Sequence, residues 1–210
     1  MSSPITPPIA PPITSSTFRA GALCGALAGL LIALPALVEA FTGETTATSV
    51  PLGLSPAFAL PLLTALQLRQ RPATGRFAEV AHMVNLIGLG LFGSAAFASN
   101  LVLFYFDDDV IDEVLTGPTI PALIGCAAVF AVGCALFGAA MIRARALPAT
   151  PAWGYAVVLP LFAFLTGLSD GLLTTGLHVL VGVILIWLSA ALWHAARDAR
   201  HTTAQARVSV

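Results

Sequence analysis

Six stretches of this chain carry few or no charged side chains, and each is about as long as a bilayer is thick. They cover residues 18–40, 50–68, 80–106, 119–142, 152–168 and 172–195; roughly 20 apolar residues span a hydrocarbon core of about 30 Å. In lipid no water is at hand for the backbone, so each segment must pair its own N–H and C=O groups, and the helix is the form that does so. The pattern therefore predicts an all-α fold, a polytopic membrane bundle of about six transmembrane helices. Prolines interrupt the second block (Pro51, Pro56, Pro61) and the fifth (Pro160), and kinks are expected there because proline removes a helical hydrogen bond.

Composition agrees with the pattern and narrows the class. Of 210 residues 58% are apolar and 9% charged, with a mean hydropathy of +0.93, whereas a soluble domain carries about 25% charge. The surface is expected to face a lipid bilayer, as that of a multi-pass cell-membrane protein, and no nucleic-acid partner is expected. Three segments follow. Residues 1–17 are rich in Pro, Ser and Thr without charge, which predicts a flexible extended segment; residues 18–196 form the transmembrane domain; residues 197–210 form a cytoplasmic tail. The first apolar block lacks a basic flank and a small-residue cleavage site, so it is expected to stay as a helix rather than act as a signal peptide.

Charge adds orientation. There is no lysine, and all nine arginines fall on one side of a six-span arrangement: Arg19, then Arg69, Arg71 and Arg76, then Arg143 and Arg145, then Arg197, Arg200 and Arg207. The opposite side holds Glu44, the run Asp107, Asp108, Asp109, Asp112 and Glu113, and Asp170. Because cytoplasmic loops are enriched in arginine, both termini are predicted to be cytoplasmic.

Small residues mark packing faces. Gly21, Gly25 and Gly29 recur at four-residue spacing in the first block, with weaker versions at Gly133 and Gly138 and at Gly176 and Gly182; such stripes let helix backbones approach closely. Packing inside the bundle is the first expectation for the stripe, and a homodimer through the Gly21/Gly25/Gly29 face the second. Cys24, Cys126 and Cys134 show no metal or disulfide spacing. His82 and His194 share a depth near the arginine side, the minimum for a haem clamp, but no supporting motif accompanies them; no cofactor and no metal are expected.

Function is sought where polar groups sit at membrane depth, since an ionisable residue there costs roughly 2.5 kcal/mol or more by insertion scales. Glu39 lies near the end of the first block on the face shared with Gly25, Ala28, Ile32 and Pro35. Asp170 precedes the last block, with Thr174 and His178 one and two turns further in; Asn100 and Ser55 lie at a similar depth on other helices. Together they are expected to line a cavity on the side away from the arginines. Glu79, His82 and Asn85 form a second set near the arginine side, read chiefly as structural because acids favour helix N-termini. Asp108, Asp109 and Asp112 spell a DDxxD pattern like the magnesium-binding motif of prenyl-diphosphate enzymes, but it stands alone and reads as a solvated cap on its loop.

In order and approximate place, Glu39 within Val38-Glu39-Ala40-Phe41 and Asp170 within Leu168-Ser169-Asp170-Gly171 match an early glutamate and a late aspartate used as acid groups. With its compact apolar design, the chain resembles the small integral-membrane terpene cyclases of natural-product pathways, including those that act on farnesylated indoles. The resemblance covers most of residues 18–197. It implies a cofactor-free cyclisation of a hydrophobic prenylated small molecule, with Glu39 and Asp170 catalytic, and Asn100 or His178 orienting the acid. Such chemistry needs a carboxylic acid that stays protonated, which a low-dielectric surrounding favours, and aromatic faces for the carbocation. Phe41, Phe97, Tyr105 and Trp153 are the first candidates to bind substrate, with Phe92, Phe104, Phe162 and Phe164 also available.

Two other classes fit the same residues. In a small-solute or proton-coupled transporter, Glu39, Asp170 and His178 would form a relay; a non-catalytic membrane subunit would use the glycine stripes alone. The predicted orientation has a direct check. A fluorescent protein fused after Val210 should fold and fluoresce, while alkaline phosphatase should be active when fused in the Asp107 to Glu113 loop and inactive after Val210; the reverse pattern would overturn the orientation.

Overall fold

The structure, a computed structural model, describes residues 15–166 and 171–208. Among these residues seven helices and no strands occur: α1 (Ser15–Thr42), α2 (Thr46–Gln70), α3 (Arg76–Leu101), a short α4 (Asp108–Val114), α5 (Thr119–Ala144), α6 (Ala149–Leu165) and α7 (Leu172–Val208). The fold is all-α, as the hydropathy pattern implied. Five helices are long and apolar enough to cross a membrane. The remaining expected span, the fifth block, forms α6 with 17 residues, about 26 Å at 1.5 Å per residue and so slightly short of a ~30 Å core.

Each long helix packs antiparallel on the next in the order α1, α2, α3, α5, α6, α7, and α7 returns to α1 to close a ring of six. The arginines with described side chains cluster at one end of the ring. There the Arg19 guanidinium lies 4.9 Å from the Trp193 ring centre, Arg197 5.6 Å from the same ring and Arg143 4.6 Å from that of Phe77. Arg71 pairs with Glu79 at 3.7 Å on the surface. The largest fully buried side chains, among them Leu62, Leu66, Phe137, Met141, Leu188 and Leu192, belong to the halves of α2, α5 and α7 nearer that end. The solid core therefore occupies the arginine half of the bundle.

Helix contacts in this core are made at backbone distance. A Cβ placed on Gly29 of α1 would lie 2.6 Å from the Gly182 carbonyl oxygen of α7, and one on Gly182 would meet the Gly29 carbonyl in return. Gly21 and Gly25 face Pro61, Leu62 and Ala65 of α2, and Gly25 also faces Ser189 of α7. The Gly21/Gly25/Gly29 face is thus filled within the chain by α2 and α7, the packing inside the bundle that was the first expectation for the stripe.

Several boundaries differ from the hydropathy reading. The third span ends at Leu101 and turns through Leu103–Tyr105 rather than continuing to 106, and the acidic run forms α4 with Asp108 and Asp109 in its first turn, where acids oppose the positive helix end. The backbone of α7 stays helical to Val208, past the expected start of the tail at 197. The first helix takes in Ser15–Thr17 of the expected flexible segment; the rest of that segment, and Asp170, lie outside the described residues. All three prolines of the second block sit inside one continuous helix, α2.

Overpacking a backbone-level crossing costs about 1–3 kcal/mol. Gly29→Leu and Gly182→Leu should therefore lower the thermal unfolding midpoint of the purified protein clearly, whereas Gly90→Leu, where no neighbour stands within 4 Å, should leave it within a degree or two. Equal effects at all three positions would contradict the crossing.

Candidate functional site

The half of the ring away from the arginines is hollow. A cavity of about 620 Å³ opens there and draws its lining from all six long helices, within the 300–1,000 Å³ usual for small-molecule sites. Its α2 wall runs from Leu52 to Leu66, which makes it roughly 20 Å deep at about 1.5 Å per helical residue. The cause is visible in the side chains. Toward the arginines the axis is filled by Leu62, Leu63, Leu66 and Leu185, whereas toward the other end α2, α3 and α5 present Ser55, Pro56, Ala59, Ala95, Ala96 and Ala127, too small to meet across the ring.

Polar groups border this cavity chiefly at its mouth. Glu39, Ser55, Asn100 and His178 all line it, together with Glu44, Ser99 and Thr166. Glu39 stands one turn before the end of α1, half-buried. Asn100, in the last turn of α3, donates through Nδ2 to the Ala96 carbonyl at 2.9 Å, so its oxygen is the end left to address the cavity. On α7, His178 Nδ1 lies 2.8 Å from the Thr174 carbonyl. A carbonyl only accepts, so Nδ1 carries the proton and Nε2 is the basic nitrogen of the neutral ring. Thr174 is itself fixed, its hydroxyl donating to the Gly171 carbonyl at 2.8 Å and accepting from the Gly171 N–H at 3.0 Å.

The walls are apolar and aromatic. Phe92 and Phe130 stack with ring centres 4.6 Å apart, Phe162 tilts against Phe92 at 6.0 Å, and the His178 ring meets Phe162 edge-on at 4.9 Å. Phe104 and Phe164 also border the space. The aromatic residues ranked first from the sequence are placed elsewhere, which is a correction. Phe41 is 90% exposed, and Phe97, Tyr105 and Trp153 are each about half exposed; none of the four lines the cavity. They stand on outward helix faces, where aromatic rings serve as lipid or interface contacts.

Tyr155 closes the deep end, and the sequence reading passed over it. Its hydroxyl accepts from Asn85 Nδ2 at 2.7 Å, and Cys134 Sγ donates to Asn85 Oδ1 at 3.4 Å, which ties α3, α5 and α6 together beneath the cavity. Asn85 can sit there because Gly133 lets the α5 backbone touch its own. The signal for this network was present in Asn85, a fully buried amide on an apolar helix, but its partner Tyr155 lies 70 residues away. A second buried pair, Gln70 Nε2 donating to Gln67 Oε1 at 2.8 Å, was also missed and lies toward the arginine end of α2.

The remaining sequence candidates are not drawn to this place. His82 packs against Phe137 at 5.9 Å on α3 and His194 is exposed on α7, helices that are not neighbours in the ring. Asp108, Asp109 and Asp112 are exposed on α4. Among the described residues no group of three His, Cys, Asp or Glu side chains is arranged to hold a metal ion. Comparison with known protein families, with curated proteins and with solved structures finds no match, so the meaning of the cavity rests on its own geometry.

The buried network makes a quantitative prediction. Interhelical hydrogen bonds within membranes are worth about 0.6 kcal/mol on average and at most about 1.7. Tyr155→Phe keeps the ring and removes the hydroxyl, so it should lower unfolding free energy in mixed micelles by an amount in that range. No change would mean that the three helices are not joined there.

Proposed function

We propose that the protein is a multi-pass cell-membrane enzyme with both termini in the cytoplasm, and that its cavity receives a prenyl chain for protonation-initiated cyclisation. The observation that carries the reading is the cavity itself: one deep apolar space with an acid, an amide and an imidazole gathered at its mouth and stacked aromatic rings along its wall. A farnesylated indole is a substrate of suitable kind, long, apolar and bearing one weakly polar end.

The chemistry follows from the placement. Glu39, as a neutral acid, gives its proton to a terminal alkene or epoxide of the chain; the tertiary cation formed is attacked by the next double bond, and each ring closure passes the charge inward. The faces of Phe92, Phe130 and Phe162 attract that charge through their quadrupoles. Loss of a proton from the last cation, to Glu39 carboxylate, to His178 Nε2 or to water, ends the sequence, so product and substrate are isomers and no cofactor is consumed. Asn100 orients the acid or the substrate head, and Asp170 is proposed as the second acid. Transport is the less favoured reading because Tyr155 and the packed leucines close the far end of the cavity.

The test uses membranes from cells expressing the chain, incubated with a farnesylated indole and its terminal epoxide and analysed by mass spectrometry. A cyclised product of unchanged mass is expected. Glu39→Gln should insert normally yet reduce its formation by about 10²-fold or more, the usual scale for losing a general acid. Undiminished conversion by both Glu39→Gln and Asp170→Asn would remove the catalytic assignment.

A further inference from the structure

At the arginine end, far from the cavity mouth, one aromatic ring receives two cations. Trp193 of α7 is half-buried and packs on the core, so its ring is a fixed plate. The Arg19 guanidinium, from α1, lies 4.9 Å from the ring centre, and that of Arg197, one turn further along α7, lies 5.6 Å from it. The crossing of Gly29 on Gly182 sets this register. Ten residues back from Gly29 is Arg19, and ten forward from Gly182 is Leu192, the neighbour of Trp193.

Two like charges held this close call for an anion. Their separation cannot exceed the two distances together, which is on the order of the Debye length, about 10 Å at 0.1 M salt, so salt screens them only partly. The ring attracts each cation but neutralises neither. Arg19 Nε is closed to solvent and meets no acceptor, and neither guanidinium has a carboxylate partner among the described residues. The sequence leaves few acids to serve them: nine arginines and two acids, Glu79 and Asp198, belong to this end, whereas eight acids and no arginine belong to the other. The missing anions must come from the surroundings.

Depth identifies those surroundings. The apolar span of α1 begins at Ser16 and that of α7 ends at Arg197, so both guanidiniums stand where headgroups lie and where tryptophan rings settle. Leu23, one turn deeper than Arg19 and on nearly the same face at about 100° per residue, is 61% exposed, and Trp187 of α7 is 46% exposed. Charge at the headgroup level with exposed apolar surface beneath it matches a molecule that joins phosphate to acyl chains. A guanidinium suits the phosphate part, because its paired N–H groups fit two oxygens of one group.

We propose that Arg19, Arg197 and Trp193 form a headgroup site for one anionic phospholipid of the adjoining leaflet, bound across the α1–α7 seam that closes the ring. The lipid joins the first long helix to the last and stabilises the closed bundle. The site depends on the helices spanning a bilayer, and not on the reading of the cavity.

The experiment counts bound lipid. The purified protein in detergent micelles is titrated with phosphatidylglycerol or with phosphatidylcholine of the same acyl chains, and retained lipid is measured by native mass spectrometry. Each arginine near an anionic lipid contributes about fivefold in binding, so the native chain should prefer one phosphatidylglycerol by about 10-fold or more. Arg19→Gln with Arg197→Gln should bring the two lipids to within about twofold of each other. Arg69→Gln with Arg76→Gln, which removes the same charge from exposed positions of the same end, should keep the preference. Arg197→Gln alone, at an exposed side chain, should lose about fivefold without touching the packing of Arg19. Equal losses from the two double variants, or no preference in the native chain, would overturn the site. Retention of inorganic phosphate as readily as phosphatidylglycerol would also overturn it, in favour of a free anion.

Discussion

Inside a membrane, helices are not driven together by the exclusion of water, because lipid tails solvate leucine as well as another leucine does. What holds them is close packing, and close packing requires that side chains get out of the way. In this ring they do so at a few named points: Gly29 on Gly182, Gly88 on Phe130, Gly133 on Asn85 and Gly138 on Ala156. Three of these crossings bind α3, α5 and α6, Gly88 on Phe130 at the wall of the cavity and the other two beneath it. From Tyr155 toward the arginines the axis is filled by large side chains; beyond it Ser55, Ala59, Ala95, Ala96 and Ala127 are too small to meet across the ring, and the space between them becomes the cavity. Site and scaffold thus arise from one distribution of small residues along the helices.

That distribution explains which parts of the structure were readable from sequence. Blocks without charge gave the helices directly, and nine arginines on alternate loops gave the antiparallel order that the ring adopts. Glu39, Asn100 and His178 were recognisable as a set because a polar group at membrane depth is costly enough to need a reason, and the up-and-down order brings their helix ends to one side. Tyr155 carried no such mark. A tyrosine in an apolar helix is ordinary, and only the fold reveals that Asn85 reaches it.

The misplaced aromatic residues have a different cause. These helices are apolar on every side, so hydropathy has no period from which to read the inward face. Phe92 and Phe162 look like Phe97 in such a sequence, yet Phe92 and Phe162 pack inward while Phe97 is outward. The glycines would have been the better guide, since each one names the face that meets a neighbour. The acidic loop erred in the other direction: a cluster of charge suggested only solvent, but charge placed at the start of a helix also helps to form one, as in α4.

The closed floor built by Tyr155, Asn85 and Cys134 gives the molecule a sidedness that no single helix possesses. A space sealed below and open above can be filled and emptied from one end of the ring only. Entry and exit therefore share one end, the end opposite the arginines.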